Sequence, residues 1–200
     1  MNIQELIKAV QAKLGVTVDG APGPETWLAI YEAVTGKSAA ARDAVSQKVD
    51  PRSEGVIALL QPQVHPYARA LVQGAAAAGI EIKLISGLRT YAEQDALFAQ
   101  GRTKPGRKVT NAKGGESNHN FGIAFDIGVF DEGRYLPETP SYDAVGVIGK
   151  QLGLEWGGDW ASLVDKPHFE LRPAWARDLS EMQMLAELRR RTTEGSPYFA

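Results

Sequence analysis

The sequence predicts an α+β protein, with a small all-α piece in front of a larger domain that mixes helices and short strands. Three observations carry this. Apolar residues recur at helical spacing through residues 3 to 34, and a run without sustained apolar period follows at 37 to 52. Beyond it, Ile80 to Ser86 and Ile123 to Phe130 alternate with the period of strands. The chain therefore divides into a helical module at 1–36, a linker at 37–52 and a main domain at 53–200.

In the module, Ile3, Leu6, Ile7, Val10 and Leu14 give one amphipathic helix that ends near Gly15. Asp19 to Gly23 reads as a turn, and Pro24 opens a second helix whose apolar face is Trp27, Leu28, Ile30, Tyr31 and Val34. Val56, Leu59 and Leu60 begin the main domain, and Pro66 opens a helix running to Gly79. The strand Ile80 to Ser86 turns Ile80, Ile82 and Leu84 inward and leads through Gly87, Leu88 and Arg89 to a helix over 91–100, closed by Gly101. A polar loop from Arg102 to Glu116 follows, with Arg102, Lys104, Arg107, Lys108 and Lys113 as a local basic excess. It reads as a solvated loop, or as a rim attracting an acidic substrate. After the Ile123 to Phe130 strand, residues 131–133 form a turn and Tyr142 to Leu152 a helix ending at Gly153. Trp156 and Trp160 then serve as core or as cleft walls. His168 to Leu171 is a short strand, and a packing helix runs from Ser180 to Arg191.

Composition excludes several function classes. The chain has 200 residues, 44% hydrophobic and 23% charged, with no apolar run of membrane-spanning length, so no membrane insertion is expected. A net charge of −2 argues against nucleic-acid binding driven by phosphate contacts. Without cysteine there are no thiolate ligands or nucleophiles, which leaves His, Asp and Glu as the strong metal ligands. The first residues lack the basic and apolar regions of a signal peptide, so synthesis in the cytoplasm is expected, and a route to any extracytoplasmic target must be separate. Composition does not indicate oligomeric state.

The chemistry concentrates in two stretches. Asp126 sits on the second strand between the small residues Ala124 and Gly128, which leave room around a carboxylate, and His119 lies just before it in a turn-rich segment. His168 and Glu170 share one face of the last strand, with Asp165 just upstream. One aspartate and two histidines would give a zinc ion three protein ligands and leave its fourth position for water, the open arrangement of catalytic sites. His65, the remaining histidine of three, precedes Pro66 at a helix start and reads as a capping or surface residue.

These residues resemble a known family. Ser117, His119, Gly122, Ala124 and Asp126 match the S-x-H-x-x-G-x-A-x-D signature of the zinc D-alanyl-D-alanine carboxypeptidase and L-alanyl-D-glutamate endopeptidase family. Asp165-x-x-His168 resembles its second motif, and Ser86 to Thr90 with Gln94 its upstream segment, so the likeness covers about residues 53 to 172. It implies an antiparallel sheet with surrounding helices holding one zinc, bound by His119, Asp126 and His168. It also implies Asp165 as general base, Arg89 as the cation facing the developing oxyanion, and Ser117 and Gln94 as substrate contacts. Glu170 is the rival base, with a supporting hydrogen bond or a strand salt bridge as its other reading. The Trp156 to Trp160 stretch looks most like the endopeptidase branch, which includes phage endolysins and cell-wall turnover enzymes, with peptidoglycan as partner. Carboxypeptidase action is the alternative within enzymes. A non-enzymatic zinc domain, as in hedgehog signalling proteins, and a wall-binding protein with a decayed site are the alternatives outside them. Residues 10 to 26 resemble a peptidoglycan-binding helical repeat; a hairpin that merely packs on the main domain is the other reading.

Overall fold

A computed structural model describes residues 2–20, 22–35 and 47–199. Most of the expected linker lies outside the described residues.

Helix α1 (Ile3–Leu14) starts with a capping box: Asn2 Oδ1 accepts from the Glu5 amide at 2.9 Å, and the Glu5 carboxylate accepts from the Asn2 amide at 2.8 Å. It ends at Gly15, whose φ of 68° suits a residue without Cβ. Helix α2 (Pro24–Thr35) packs against α1, but the junction is not the apolar seam that periodicity suggests. Its centre is Gln11, 1% exposed, whose amide donates to Asp19 Oδ1 at 2.6 Å and Thr26 Oγ1 at 3.0 Å and accepts from the Gly20 amide at 2.8 Å. Ile3, Leu6, Val10, Trp27, Tyr31 and Val34 stay exposed. The pair docks on the main domain, where Gly23 lies so close to Tyr67 that a Cβ would sit 1.9 Å from the phenol oxygen.

Helix α3 (Pro51–Ile57) is capped by Asp50 and begins two residues before the expected boundary at 53. Its buried Ser53 accepts from the Leu84 amide at 2.9 Å, which ties α3 to strand β1 (Glu81–Ser86). Between them runs α4 (His65–Ala77). His65 Nε2 lies 3.1 Å from the Leu60 carbonyl, a local structural contact at the helix start. Helix α5 (Tyr91–Ala99) follows β1, with Thr90 and Glu93 forming its capping box.

The sheet has five strands, all antiparallel, in the order β1, β2 (Ala124–Asp131), β5 (His168–Glu170), β4 (Glu155–Trp156), with β3 (Arg134–Leu136) also pairing to β2. The sequence does not mark β3 or β4 as strands: Arg134–Leu136 shows no polar–apolar alternation and Glu155–Trp156 is two residues long. Ile123, Phe125, Ile127 and Val129 form the expected inward face and are buried, the last three in the core shared with α6 (Ser141–Leu152) and its neighbours and Ile123 in a second cluster with the C-terminal helix. Glycines let α6 approach closely: a Cβ at Gly146 would lie 2.5 Å from the Trp156 ring, and one at Gly149 2.4 Å from the Phe169 ring. Helix α7 (Glu181–Glu194) packs Met184, Leu185 and Leu188 against Phe121 and Ile123, behind the turn that carries His119. No helix among the described residues is long and apolar enough to cross a membrane.

Because Phe169 is fully buried and stacked on Phe125, its ring cannot retreat from a new methyl group. Gly149→Ala should therefore cost about 1–3 kcal/mol of stability, as overpacking of a core does. Urea unfolding of the variant measures it, and since Phe169 lies between His168 and Glu170, metal affinity should fall in parallel.

Candidate metal centre

Strand register brings the ligands together. Asp126 stands directly opposite His168 in the β2–β5 pair, so their side chains leave the same face of the sheet. His119 comes from a 3-10 turn, Asn118–Phe121, that closes at Gly122 with φ 66° just ahead of β2. His119 Nε2 is 3.2 Å from Asp126 Oδ1, His168 Nδ1 is 3.3 Å from the same oxygen, and the two nitrogens are 3.2 Å apart. Ligands about 2.0–2.1 Å from a tetrahedral ion are separated by about 3.3 Å, so this triangle fits one small metal ion such as zinc.

The outer hydrogen bonds show why these are lone pairs and not donors. His119 Nδ1 lies 2.8 Å from the Gly87 carbonyl and His168 Nε2 lies 2.8 Å from Glu170 Oε2. Neither oxygen can donate, so each outer nitrogen carries the proton and each inner nitrogen presents a lone pair. Asp126 Oδ1 is buried and has no hydrogen-bond donor. Three acceptors converging without a donor are satisfied by a cation. The same carboxylates also attract a proton: burial opposes charge at His168, yet Asp126 and Glu170 override it and push the imidazole up to about 10, so a metal binds its inner nitrogen by displacing a proton. Burial likewise raises Asp126, and the two histidines outweigh it to hold the carboxyl far below its usual range.

The centre opens onto a cleft of about 560 Å³. Asp165 lines it, reached through a turn in which its amide donates to the Gly157 carbonyl at 3.0 Å and its own carbonyl accepts from the His168 amide at 3.1 Å. Burial, then the negative charge of Asp126, raises the Asp165 carboxyl above its ordinary value. Arg89 faces Asp126 from the other side, Nη2 to Oδ2 at 3.6 Å, and its amide donates to the His119 carbonyl at 3.0 Å. Ser117 lines the cleft and forms no side-chain cap to its turn. Gln94, expected to touch substrate, is 0% exposed and not among the lining residues; its amide is bonded to Arg89, Thr110 and Ala112. None of the five basic loop residues lines the cleft, and Arg102 instead stacks on Phe98 at 3.8 Å. Trp160 forms the cleft wall, 4.8 Å from the His168 ring, while Trp156 is buried and donates to the Lys166 carbonyl at 2.8 Å.

Sequence reading overlooked a polar network behind His168. Asn118 donates to Glu170 and to Glu181, both at 2.8 Å, and Arg172 pairs with Glu181 at 3.1 Å. Burial pushes Glu170 up, but the His168 hydrogen bond and charge bring it below its ordinary value, so it stays ionised to accept from the imidazole. Asn118 adjoins His119, but nothing in its spacing points to residues 170 and 181.

Comparison with known proteins gives the same class of protein as the fold and site, a hydrolytic metallopeptidase. Residues 110–171 match a family model described as D-alanyl-D-alanine carboxypeptidase. The peptidoglycan L-alanyl-D-glutamate endopeptidase CwlK of Bacillus subtilis (strain 168) is 42% identical over 124 residues, 57% of this chain and 74% of that protein. The L-alanyl-D-glutamate peptidase of Listeria phage A118 is 31% identical over 108 residues, 52% of this chain and 34% of its own length. The crystal structure of Serratia marcescens L-Ala D-Glu endopeptidase ChiX aligns over 62% of this chain and 89% of its own with a TM-score of 0.49 and 23% identity. The chain belongs to the M15 peptidase family.

Removing the carboxylate behind His168 frees its ring to rotate or change tautomer. Glu170→Ala should weaken binding of a divalent transition metal by about 10- to 100-fold, read by competition with a chromogenic chelator. In the wild type a proton competes for the same His168 lone pair, so affinity should rise with pH across the neutral range.

Proposed function

We propose that the protein is a zinc peptidase that cuts the L-alanyl–D-glutamate bond of peptidoglycan stem peptides. The observation that carries the reading is the triangle of His119, Asp126 and His168 lone pairs, with Asp165 and Arg89 beside it. The bond assignment draws support from the names of the Bacillus and phage relatives.

A bound zinc would supply Lewis acidity to the attacking water and the scissile carbonyl. The protein's own groups do the rest. Asp165, its carboxyl raised by burial, is suited to take the proton from the attacking water and hand it to the departing amine. Arg89 carries a permanent charge at the cleft and opposes the negative charge that develops on the carbonyl oxygen. Ser117 offers a hydroxyl to the substrate backbone from the cleft wall. Glu170 acts on His168 and not on substrate, since its carboxylate is already held by the imidazole and Asn118.

Residues 1–36 read as a wall-binding module and 37–52 as its tether. Deleting residues 1–46, which keeps Val49 and the Asp50 cap of α3, should leave hydrolysis of small soluble muropeptides nearly unchanged while weakening pull-down on insoluble sacculi. A loss of soluble-substrate turnover would mean that the Gly23–Tyr67 contact supports the catalytic domain instead.

Mass spectrometry of products from purified muropeptides tests the bond: release of D-glutamyl peptides is expected, and release of D-alanine alone would replace the reading with carboxypeptidase action. Asp165→Asn should retain zinc and lower kcat by roughly 10²-fold or more, as loss of a general base does, with Glu170→Gln costing less in kcat. The reverse ranking would move the base to Glu170.

A further inference from the structure

We propose that Gln94 is a positioning residue that holds Arg89 in its working orientation and couples it to the cleft wall. The proposal rests on the reading of Arg89 as the cation that opposes developing charge.

An arginine beside a metal-ligating carboxylate has an obvious alternative state, collapse onto that carboxylate as a close ion pair. Arg89 does not take it. Its Nη2 stays 3.6 Å from Asp126 Oδ2, beyond the distance of a good hydrogen bond. The guanidinium is held back at two points: Nη1 donates to Gln94 Oε1 at 2.7 Å, and Nη2 donates to Ser86 Oγ at 3.1 Å. With the planar fork pinned along one edge, its remaining donor directions are fixed relative to the cleft.

Gln94 can do this because its own amide has no freedom. It is 0% exposed in the first turn of α5, and Nε2 donates to the Ala112 carbonyl at 2.9 Å and Thr110 Oγ1 at 3.3 Å. A carbonyl on the loop side requires the amide nitrogen there, so the amide oxygen must face Arg89, and a flipped amide would lose both contacts. Thr110, Asn111 and Ala112 line the metal cleft, so one buried side chain joins the wall that substrate meets to the charge that substrate needs. Gln94 is fully buried and does not line the cleft, so it acts on substrate through Arg89.

The test is a double-mutant cycle in the full-length, zinc-loaded protein with a soluble muropeptide, using Gln94→Met, Arg89→Ala and the pair. Methionine keeps the buried volume and removes all three hydrogen bonds. Gln94→Met is expected to lower kcat by about 10- to 100-fold with KM within about twofold, and to have no further effect once Arg89 is alanine. Zinc content should stay at one per chain, and the Arg89 side-chain NH resonances in ¹⁵N NMR should shift from their wild-type positions. Gln94→Glu, which keeps an acceptor toward Arg89, should recover part of the loss. A rise in KM alone, or multiplicative losses in the double variant, would overturn the proposal while leaving Arg89 in place. Wild-type turnover by Arg89→Ala would overturn the Arg89 reading itself. Should Gln94→Met prove unfolded by circular dichroism, Gln94→Glu carries the cycle instead: it keeps the acceptor toward Arg89 and loses the donor to Ala112, so a smaller kcat loss that vanishes in the Arg89→Ala background is expected, and a loss that multiplies with Arg89→Ala would overturn the proposal.

Discussion

Everything at the metal centre depends on the register between β2 and β5. Asp126 and His168 meet because they are opposite residues on an antiparallel pair whose second strand is only three residues long. A slip of one residue would put Phe169 where His168 stands and turn both His168 and Glu170 into the core. Several contacts outside the strand prevent it. The Ile127 amide donates to the Pro167 carbonyl at 3.0 Å and the Leu171 amide to the Ile123 carbonyl at 2.9 Å, which extends the pairing at both ends. Phe169 is clamped between Phe125 and the open backbone of Gly149. The apolar face of β5 thus fixes the polar face, and packing decides where the candidate metal ligands lie.

The polar face is expensive to assemble. His119, His168 and Glu170 are nearly completely buried, Asp126 is largely so, and charged groups are tolerated there only if each has a partner. The protein meets that requirement in a chain: Arg172 pairs with Glu181, Asn118 bridges Glu181 and Glu170, and Glu170 accepts from His168. The remaining uncompensated atoms include Asp126 Oδ1, and this one points to a cation. The same accounting explains why α7 is more than a packing helix: besides burying Met184 and Leu188, it contributes Glu181 from its first turn.

Local features of the site were legible in the sequence because they are encoded at short range. The alternation from Ile123 to Phe130 places Asp126 opposite the core, and the turn residues around His119 bring it beside the same strand. Helices α1 and α6 follow the expected spans because Gly15 and Gly153 end them where the sequence places glycine, whereas α7 starts after Ser180 as expected but runs on to Glu194, past Arg191, before Gly195 ends it. What failed had a tertiary cause. Strand β4 is only two residues long and β3, Arg134–Leu136, lacks the polar–apolar alternation that marks the equally short β5; both exist because β5 and β2 offer them an edge. The apolar faces of α1 and α2 suggested a hydrophobic seam, while the seam that formed centres on hydrogen bonds from Gln11. Gln94 was assigned to substrate because it falls in a recognisable segment, but its partners Ala112 and Arg89 are set by how the 110–112 loop folds back over α5.

One consequence follows from the spacing of the two histidines. His119 and His168 are 49 positions apart in the chain, and the sequence contains no cysteine that could join distant segments covalently. An ion held by both rings acts as a cross-link that closes this stretch into a ring. A permanent closure of that length removes denatured-chain entropy worth on the order of 4 kcal/mol, a sizeable share of the stability of an ordinary domain. Metal supply would then set the lifetime of the folded enzyme as well as its activity, so that a metal-starved copy is also the copy most open to proteolysis.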